Sequence, residues 1–266
     1  MNPFPIDHDL HCHTFVSGCS LDPKQNPDAI LAFAKANGYT TLCFADHFWD
    51  ETVPDPSRDY RRQTFELMKG ILPLPTVPGV RAAFGCETEW CGGGKIGIAP
   101  ERHGAFEFIV VPPNHFHMRP FVRPLDCNTP EQVADLLVTR LEELQAVSLP
   151  WEKVGIAHLN CGLVYREGEP ADVFDAVPED RFRAAMRFFA DHGAGIELNC
   201  SSFDTPAFRH RPESSFRLFR MAKDEGCRFY LASDAHHPPE LDAVPRLGPG
   251  IVEALGLDSR HLYRLP

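Results

Sequence analysis

The sequence predicts an α/β barrel, in which parallel strands alternate with helices along one chain. Seven short β-rich runs alternate with helical patterns over 266 residues. No repeat or low-complexity linker divides them, so we expect residues 1–266 to form a single domain. No GxGxxG sequence follows the first predicted strand, which disfavours a dinucleotide-binding fold. A closed barrel is the simplest arrangement of these strands at this length, and an open doubly wound sheet is the alternative.

The predicted elements are delimited by glycine and proline. The strands cover residues 6–11, 41–45, 81–87, 108–111, 154–158, 195–198 and 228–231. The helices cover residues 27–37, 58–72, 129–148, 181–192 and 213–225. Pro27 and Pro130 stand where a first helical turn tolerates proline, and Gly38, Gly193 and Gly226 stand where helices end.

Composition narrows the class of protein further. Nine cysteines without a CxxC pair, behind an N-terminus that does not resemble a signal peptide, predict reduced thiols in the cytoplasm. No apolar run approaches the roughly 20 residues of a membrane span. The formal net charge of −11 argues against an extended basic surface for nucleic acid, beyond a short oligonucleotide.

Nearly every predicted strand ends in a histidine or a carboxylate. In chain order the ends carry His11 and His13, Asp46 and His47, Glu87, His115 and His117, His158, Glu197, and Asp234 with His236 and His237. The carboxyl ends of parallel strands ring one mouth of a barrel, so these residues should meet. Residues two apart on a strand share a face, which lets His11 and His13 converge.

Such a gathering of imidazoles and carboxylates predicts metal ions. Packing them together without cations would cost free energy, because their charges and lone pairs would lack compensation. Imidazoles combined with carboxylates suit Zn, Mn or Fe, whereas Mg and Ca prefer an all-oxygen site.

Seven motifs make the sequence resemble the PHP family, named for polymerase and histidinol phosphatase. They are DLHCHT, FADH, GCE, NHF, IAHLN, IELNCSSF and LASDAHHP, and they occur in the family's order between residues 9 and 238. The resemblance implies a distorted (β/α)7 TIM-like barrel of the PHP type. It also implies two or three divalent metal ions (Zn, Mn or Fe) at the mouth of that barrel.

The resemblance implies two neighbouring ion sites that share a carboxylate. Their ligands would be His11, His13 and Asp234 for the first ion, and His115 and His158 for the second. Glu87 would bridge the two ions. His117 is the alternative to His115, which fits the register of the motif better.

A third ion would be held by His47 and His236. The remaining family ligand, usually His, Asp or Glu, falls here on Cys19. A thiolate at Cys19 would favour zinc or iron, and an inert Cys19 would leave the third site weak or empty. We expect Cys19 to be a ligand.

Because PHP relatives are mostly phosphoesterases, the resemblance implies a metal-dependent phosphoesterase. Its substrate would be a small phosphorylated molecule such as histidinol phosphate or a nucleotide. Closely spaced divalent ions make hydroxide available near neutral pH and take up charge on the attacking and leaving oxygens. The candidate catalytic residues are Asp234 and His237, the latter as general acid for the leaving group. The candidate substrate-binding residues are His117, Arg119, Arg166, Arg209 and His210.

Two other classes remain as alternatives. An amidohydrolase-type hydrolase of C–N or C–O bonds also uses HxH on an early strand, but the strand ends lack a lysine that could be carboxylated. The second alternative is a non-catalytic metal-binding module. The complete set of metal-ligand residues at the strand ends argues against it. Asp46 and Asn199 are expected to orient ligand imidazoles in either case.

Overall fold

Parallel strands form the barrel in the computed structural model, which describes residues 2–266 with the side chain of residue 207 left aside. In chain order the strands are β1 (His8–Cys12), β2 (Thr41–Phe44), β3 (His47–Phe48), β4 (Arg81–Thr88), β5 (Trp90–Gly92), β6 (Lys95–Ile96), β7 (Phe108–Val111), β8 (Val154–Ile156), β9 (Gly195–Asn199) and β10 (Arg228–Ala232). Strands β5 and β6 pair antiparallel in a separate two-stranded sheet. Seven of the other strands follow one another around the sheet as β1-β2-β4-β7-β8-β9-β10, and β3 pairs with the end of β4. The predicted barrel and its seven strands are confirmed.

The helices surround this sheet. They are α1 (Pro27–Ala36), α2 (Phe65–Met68), α3 (Pro130–Leu144), α4 (Pro170–Ala176), α5 (Glu179–Asp191), α6 (Pro206–His210), α7 (Pro212–Asp224) and α8 (Ala243–Leu255). The continuous helix predicted over residues 58–72 is wrong. The backbone of Gln63 leaves the helical path to accept a hydrogen bond from Trp49 N–H at 2.8 Å, so only a short turn and α2 form.

Side chains complete the closure between β1 and β10. Backbone pairing of these two strands is limited to the mouth end. Further down, His8 Nε2 accepts the N–H of Leu231 at 2.9 Å, and Asp9 Oδ1 accepts the N–H of Ser233 at 3.0 Å. These two side chains take the place of strand carbonyls, which keeps buried donors satisfied where the ladder is interrupted.

Aromatic side chains fill the barrel below the mouth. Phe108, Tyr230 and Tyr263 pack against one another there, with ring centroids 5.2–5.9 Å apart. A Cβ atom at Gly155 would lie 2.3 Å from the Tyr230 hydroxyl, and one at Gly195 would lie 2.9 Å from the rings of Tyr230 and Tyr263. The lower interior is therefore closed, and chemistry is confined to the mouth. None of the helices within residues 2–266 has the length and apolar character to cross a membrane.

Candidate metal centre

Three groups of side chains converge at the mouth of the barrel. The groups are His11, His13 and Asp234; Glu87, His115 and His158; and His13, His47 and His236. Within each group the donor atoms lie within 4.8 Å of one another. The first two groups contain the side chains that the sequence assigned to neighbouring ions. The third contains His13 where the sequence placed Cys19, because the His13 ring stacks on His236 with centroids 4.1 Å apart.

The strands deliver these side chains through their last residues and the first turn beyond. His158 and Asp234 follow β8 and β10 with φ angles of 30° and 54°, a left-handed conformation that is uncommon for residues other than glycine. Strained backbone of this kind clusters at functional sites, where the surrounding structure fixes it. Here it turns a ligand-type side chain into the mouth at the end of each strand.

Glu87 stands between the first two groups. Its Oε2 is buried and lies 2.7 Å from His47 Nδ1, 3.5 Å from His13 Nε2 and 3.6 Å from His11 Nε2, and none of these contacts has hydrogen-bond geometry. Its Oε1 lies 3.2 Å from His158 Nε2 and 3.7 Å from His115 Nε2. Oε2 therefore faces His11, His13 and His47, and Oε1 faces the second group. A buried carboxylate oxygen without a well-directed hydrogen bond is costly unless a cation satisfies it, so the residues fit a bridging ligand.

Outer partners fix the tautomers of His11 and His13. His11 Nδ1 lies 2.8 Å from Glu197 Oε2, and His13 Nδ1 lies 2.9 Å from Ser17 Oγ. Since the Ser17 hydroxyl donates to Asp46 at 2.7 Å, it must accept from His13 Nδ1–H. The Nε2 atoms of the two rings then face each other at 3.1 Å. Two nitrogen lone pairs at this distance repel each other unless a cation or a proton lies between them.

The remaining imidazoles follow the same pattern. His115 Nδ1 lies 2.7 Å from Glu89 Oε2, and His158 Nδ1 lies 3.0 Å from Asn114 Oδ1. Metal-binding histidines characteristically use their second ring nitrogen in this way. The sequence analysis missed Glu89, although it follows Glu87 by two residues and therefore lies on the same face of the extended chain.

Charges at the mouth shift the pKa values of its carboxylates and imidazoles. Burial alone would raise the pKa of Glu87, but the neighbouring His47 and His11 hold it well below its usual range. The pKa of Asp234 is lowered against its burial in the same manner, chiefly by His11. Burial, together with the charge of His236, holds the pKa of His13 well below that of a free imidazole. Burial alone would lower the pKa of four other imidazoles, but their neighbours raise it. The neighbouring carboxylates raise the pKa of His11, His47 and His115, and Cys19 and Asp234 raise that of His236 to about 9. Metals bind ionised carboxylates and neutral imidazoles, so metal binding at this mouth would displace protons from these rings.

Cys19 lies at the rim of the mouth, beside the third group. The loss of part of its solvent shell would raise the pKa of the thiol, but hydrogen bonds with His236 and His47 lower it to about 6. A thiol so placed is largely thiolate at neutral pH, and a thiolate is a metal ligand. Ligation by Cys19 remains a prediction.

A cavity of about 1140 Å³ opens above the metal centre. Its wall includes His117 and Arg166, two of the predicted substrate-binding residues. Burial lowers the pKa of His117 to about 3, with His115 and Arg166 adding to the effect, so this imidazole is neutral.

The other predicted substrate and acid residues do not line this cavity. Arg209 is exposed and pairs with Asp204, and His210 is exposed on the same short helix. Arg119 pairs with Glu167 at 3.1 Å. His237 is exposed and begins the turn Pro238–Asp242, which it caps. The structure thus does not bring these four residues to the metal centre.

Comparison with known proteins shows the fold. No family model matches the chain, and no curated protein matches it. A histidinol phosphate phosphatase from Lactococcus lactis subsp. lactis, solved with zinc, L-histidinol and phosphate, is 14% identical, with a TM-score of 0.58, over 97% of this chain and 98% of that chain. This likeness confirms that the predicted α/β TIM-like barrel is the fold of the chain.

Two amidohydrolase-like structures resemble the chain less well. An atrazine chlorohydrolase from Arthrobacter aurescens, complexed with zinc, is 16% identical with a TM-score of 0.44, over 98% of this chain and 73% of that chain. The A. niger ochratoxinase is 14% identical with a TM-score of 0.40, over 97% of this chain and 70% of that chain. Neither likeness carries a conclusion about this protein.

Proposed function

We propose that this protein is a metal-dependent phosphoesterase of the PHP family, acting on a small phosphorylated substrate of the kind that histidinol phosphate represents. The observation that carries the proposal is Glu87, a buried carboxylate with one oxygen facing each of two imidazole groups. When bound, two or three divalent ions would supply a hydroxide nucleophile at neutral pH and neutralise charge on the transferring phosphoryl group.

The chain's own residues hold and orient this centre. His11, His13 and Asp234 would hold one ion, His115 and His158 a second, and Glu87 would lie between them. Glu197 and Glu89 keep Nδ1–H of His11 and His115 pointed outwards, so that each Nε2 lone pair faces the mouth.

A third ion would lie among His47, His236 and His13, with Cys19 as a further ligand. His13 faces both this group and the first one, so the two sites are adjacent. Zinc, manganese and iron all fit imidazole and carboxylate donors, and a thiolate at Cys19 would shift the preference towards zinc or iron.

Arg166 and His117 are proposed to bind the reacting phosphate. Both line the cavity, and both lie close enough for the charge of Arg166 to act on the His117 ring. A guanidinium offers paired donors to phosphate oxygens, and a neutral imidazole can add one more hydrogen bond. Asp234 remains the proposed catalytic carboxylate, since it adjoins both His11 and His13.

The direct test combines metal analysis with a substrate panel. We expect purified protein to contain two or three equivalents of a divalent metal per chain. Chelator treatment should abolish phosphomonoester hydrolysis, and added manganese or zinc should restore it. Hydrolysis of amides or lactones but not of phosphoesters would replace this proposal with an amidohydrolase function. Full metal content without any turnover would indicate a binding module.

A further inference from the structure

The cavity wall carries arginines that the metal centre does not explain. Most arginines of the described chain have a carboxylate within 4.0 Å, as Arg102 has with Asp50 and Arg140 has with Glu143. Within residues 2–266, Arg61 and Arg62 have neither an ion pair nor a side-chain hydrogen bond, although both line the cavity. Unpaired guanidinium groups are available to bind an anion.

These two arginines are held in place by their neighbours. Tyr60 is buried, and its hydroxyl lies 3.1 Å from Glu89 Oε2 and 3.3 Å from His47 Nδ1. Gln63 is buried on the other side, where its side chain donates to the His47 carbonyl at 3.2 Å and accepts from Gly18 N–H at 3.0 Å. The segment Tyr60–Arg62 is therefore clamped to the metal-ligand framework from both ends, with its arginines exposed at the cavity wall.

The position of the pair differs from that of Arg166. Arg61 and Arg62 follow β3, and the adjacent Tyr60 contacts His47, whereas Arg166 follows β8 and acts on His117, which follows β7. Two cationic positions from different loops thus face one cavity. One reacting phosphate on the metal centre needs at most one of them.

Apolar side chains lie on the same rim. Phe15, Leu21 and Leu67 line the cavity and are 41%, 76% and 39% exposed, which makes them three of the few large hydrophobic side chains at the surface. The cavity volume of about 1140 Å³ also exceeds what a small phosphorylated metabolite fills. An apolar rim around a roomy polar cavity favours a substrate with an aromatic or aliphatic body.

We propose that the cavity selects phosphoesters that carry a second anionic group on an apolar body, and that Arg61 and Arg62 bind this second group. The proposal rests on the phosphoesterase function above and names the substrate class. The second group can be a phosphate or a carboxylate, because both accept paired hydrogen bonds from a guanidinium.

The kinetic test uses esters with one hydrolysable phosphate. Phenyl phosphate is compared with its para-phosphonomethyl and para-carboxymethyl derivatives in the metal-loaded protein. We expect kcat/KM to rise roughly ten-fold for the derivative whose second anion is bound, the change that about 1.4 kcal/mol gives. The double variant Arg61→Gln/Arg62→Gln should lose that advantage and keep its activity on phenyl phosphate within about two-fold. If kcat/KM of the double variant falls more for the phosphonomethyl derivative, the second group is phosphate-like. If it falls more for the carboxymethyl derivative, the second group is a carboxylate.

Arg228→Gln provides the matched control. Arg228 is also exposed and without an acid partner among the described residues, but it begins β10 at the opposite end of the barrel. Arg228→Gln should leave the ratios of kcat/KM among the three esters unchanged. If the double variant lowers kcat/KM equally for all three esters, or keeps the preference for the derivatives with a second anion, the proposal is overturned.

A binding measurement separates this inference from the proposed function. Isothermal titration of the metal-loaded protein with 1,4-phenylenebis(phosphonate) and with phenylphosphonate needs no turnover. We expect the protein to bind the bisphosphonate more tightly than phenylphosphonate. This difference in affinity should disappear in the double variant and decrease when salt is added. If no ester is hydrolysed but this preference is present, the phosphoesterase function fails while the two-anion cavity stands. Equal affinities in the unmodified protein would contradict the inference.

Discussion

Strand β1 contains two buried histidines, His8 and His11, which differ in how their ring nitrogens are used. Both nitrogens of His8 have partners, because Nδ1 lies 3.1 Å from Asp7 and Nε2 accepts the N–H of Leu231. His11 pairs with Glu197 through Nδ1, whereas its Nε2 faces other ligand-type atoms, namely His13 Nε2 at 3.1 Å and the carboxylates of Glu87 and Asp234 at 3.6 Å. The first histidine completes the barrel, and the second leaves a lone pair for a cation.

The carboxylates show the same difference. Asp9 Oδ1 accepts N–H groups from His11 and Ser233, at 3.2 and 3.0 Å, at the seam between β1 and β10. Glu87 Oε2 is equally buried, but its neighbours are three imidazole nitrogens 2.7–3.6 Å away, none with hydrogen-bond geometry. Asp9 is thus held by backbone N–H groups of the seam, whereas Glu87 lies among the donor atoms of the mouth.

The largest expected effect follows from substituting the bridging carboxylate. Glu87→Gln should release both ions that Glu87 faces and lower turnover by roughly 10³-fold or more, since the charge stabilisation of the site is lost. Metal content by mass spectrometry and phosphatase assays measure the two losses. Glu107→Gln, at a half-exposed carboxylate paired with Arg81, is the control and should change neither. Full metal content in Glu87→Gln would show that Glu87 is not a ligand.

A substitution at the seam should affect stability instead of metal binding. His8→Ala removes the acceptor of a buried N–H and leaves a cavity, which should lower the free energy of unfolding by about 2–4 kcal/mol. Its metal content should equal that of the unmodified protein. His11→Ala should instead lose metal. Denaturant unfolding and metal analysis on both variants measure these effects. Metal loss in His8→Ala, or full metal content in His11→Ala, would contradict the comparison.

A smaller effect is expected at the outer partner of His11. Glu197→Gln keeps the shape of the side chain but weakens its hold on His11 Nδ1–H, so metal affinity should fall by about 10–100-fold without being abolished. Competition with a chelator of known affinity measures this change. An unaltered affinity would show that Glu197 supports the fold alone, through its hydrogen bond from Tyr230.

The barrel and the convergence of the ligand-type side chains could be predicted from the sequence, because both depend on strand order. Parallel strands place their carboxyl ends at one mouth, so His11, Glu87 and Asp234 could be grouped without knowing any distance. Helix α8 was not predicted, since Pro249 and two glycines interrupt its pattern and only its packed apolar face sustains it.

The details that depend on side-chain direction could not be predicted. The role of His13 in two groups follows from its stacking on His236, which sequence spacing does not encode. Arg61 and Arg62 fell within a predicted helix, where they resembled ordinary surface charges. Of the arginines chosen from the sequence, Arg166 lines the cavity, whereas Arg119 and Arg209 have local acid partners.

The smallest expected effect concerns the rim of the metal centre. Cys19→Ala should reduce occupancy of the third ion alone, by up to one equivalent of metal per chain, because Cys19 contacts His47 and His236, which belong to the third group only. Cys127→Ala is the control, at a partly buried cysteine that does not line the cavity. Unchanged occupancy after Cys19→Ala would show that the three histidines hold the third ion without the thiol.

The central claim is that side chains distant in sequence share several cations at the mouth of this barrel. Anomalous diffraction from crystals grown with manganese or zinc tests it most directly. We expect anomalous peaks within the donor groups of His11, His13 and Asp234 and of His115 and His158, with Glu87 reaching both. Anomalous maps without a peak at the mouth would contradict this claim.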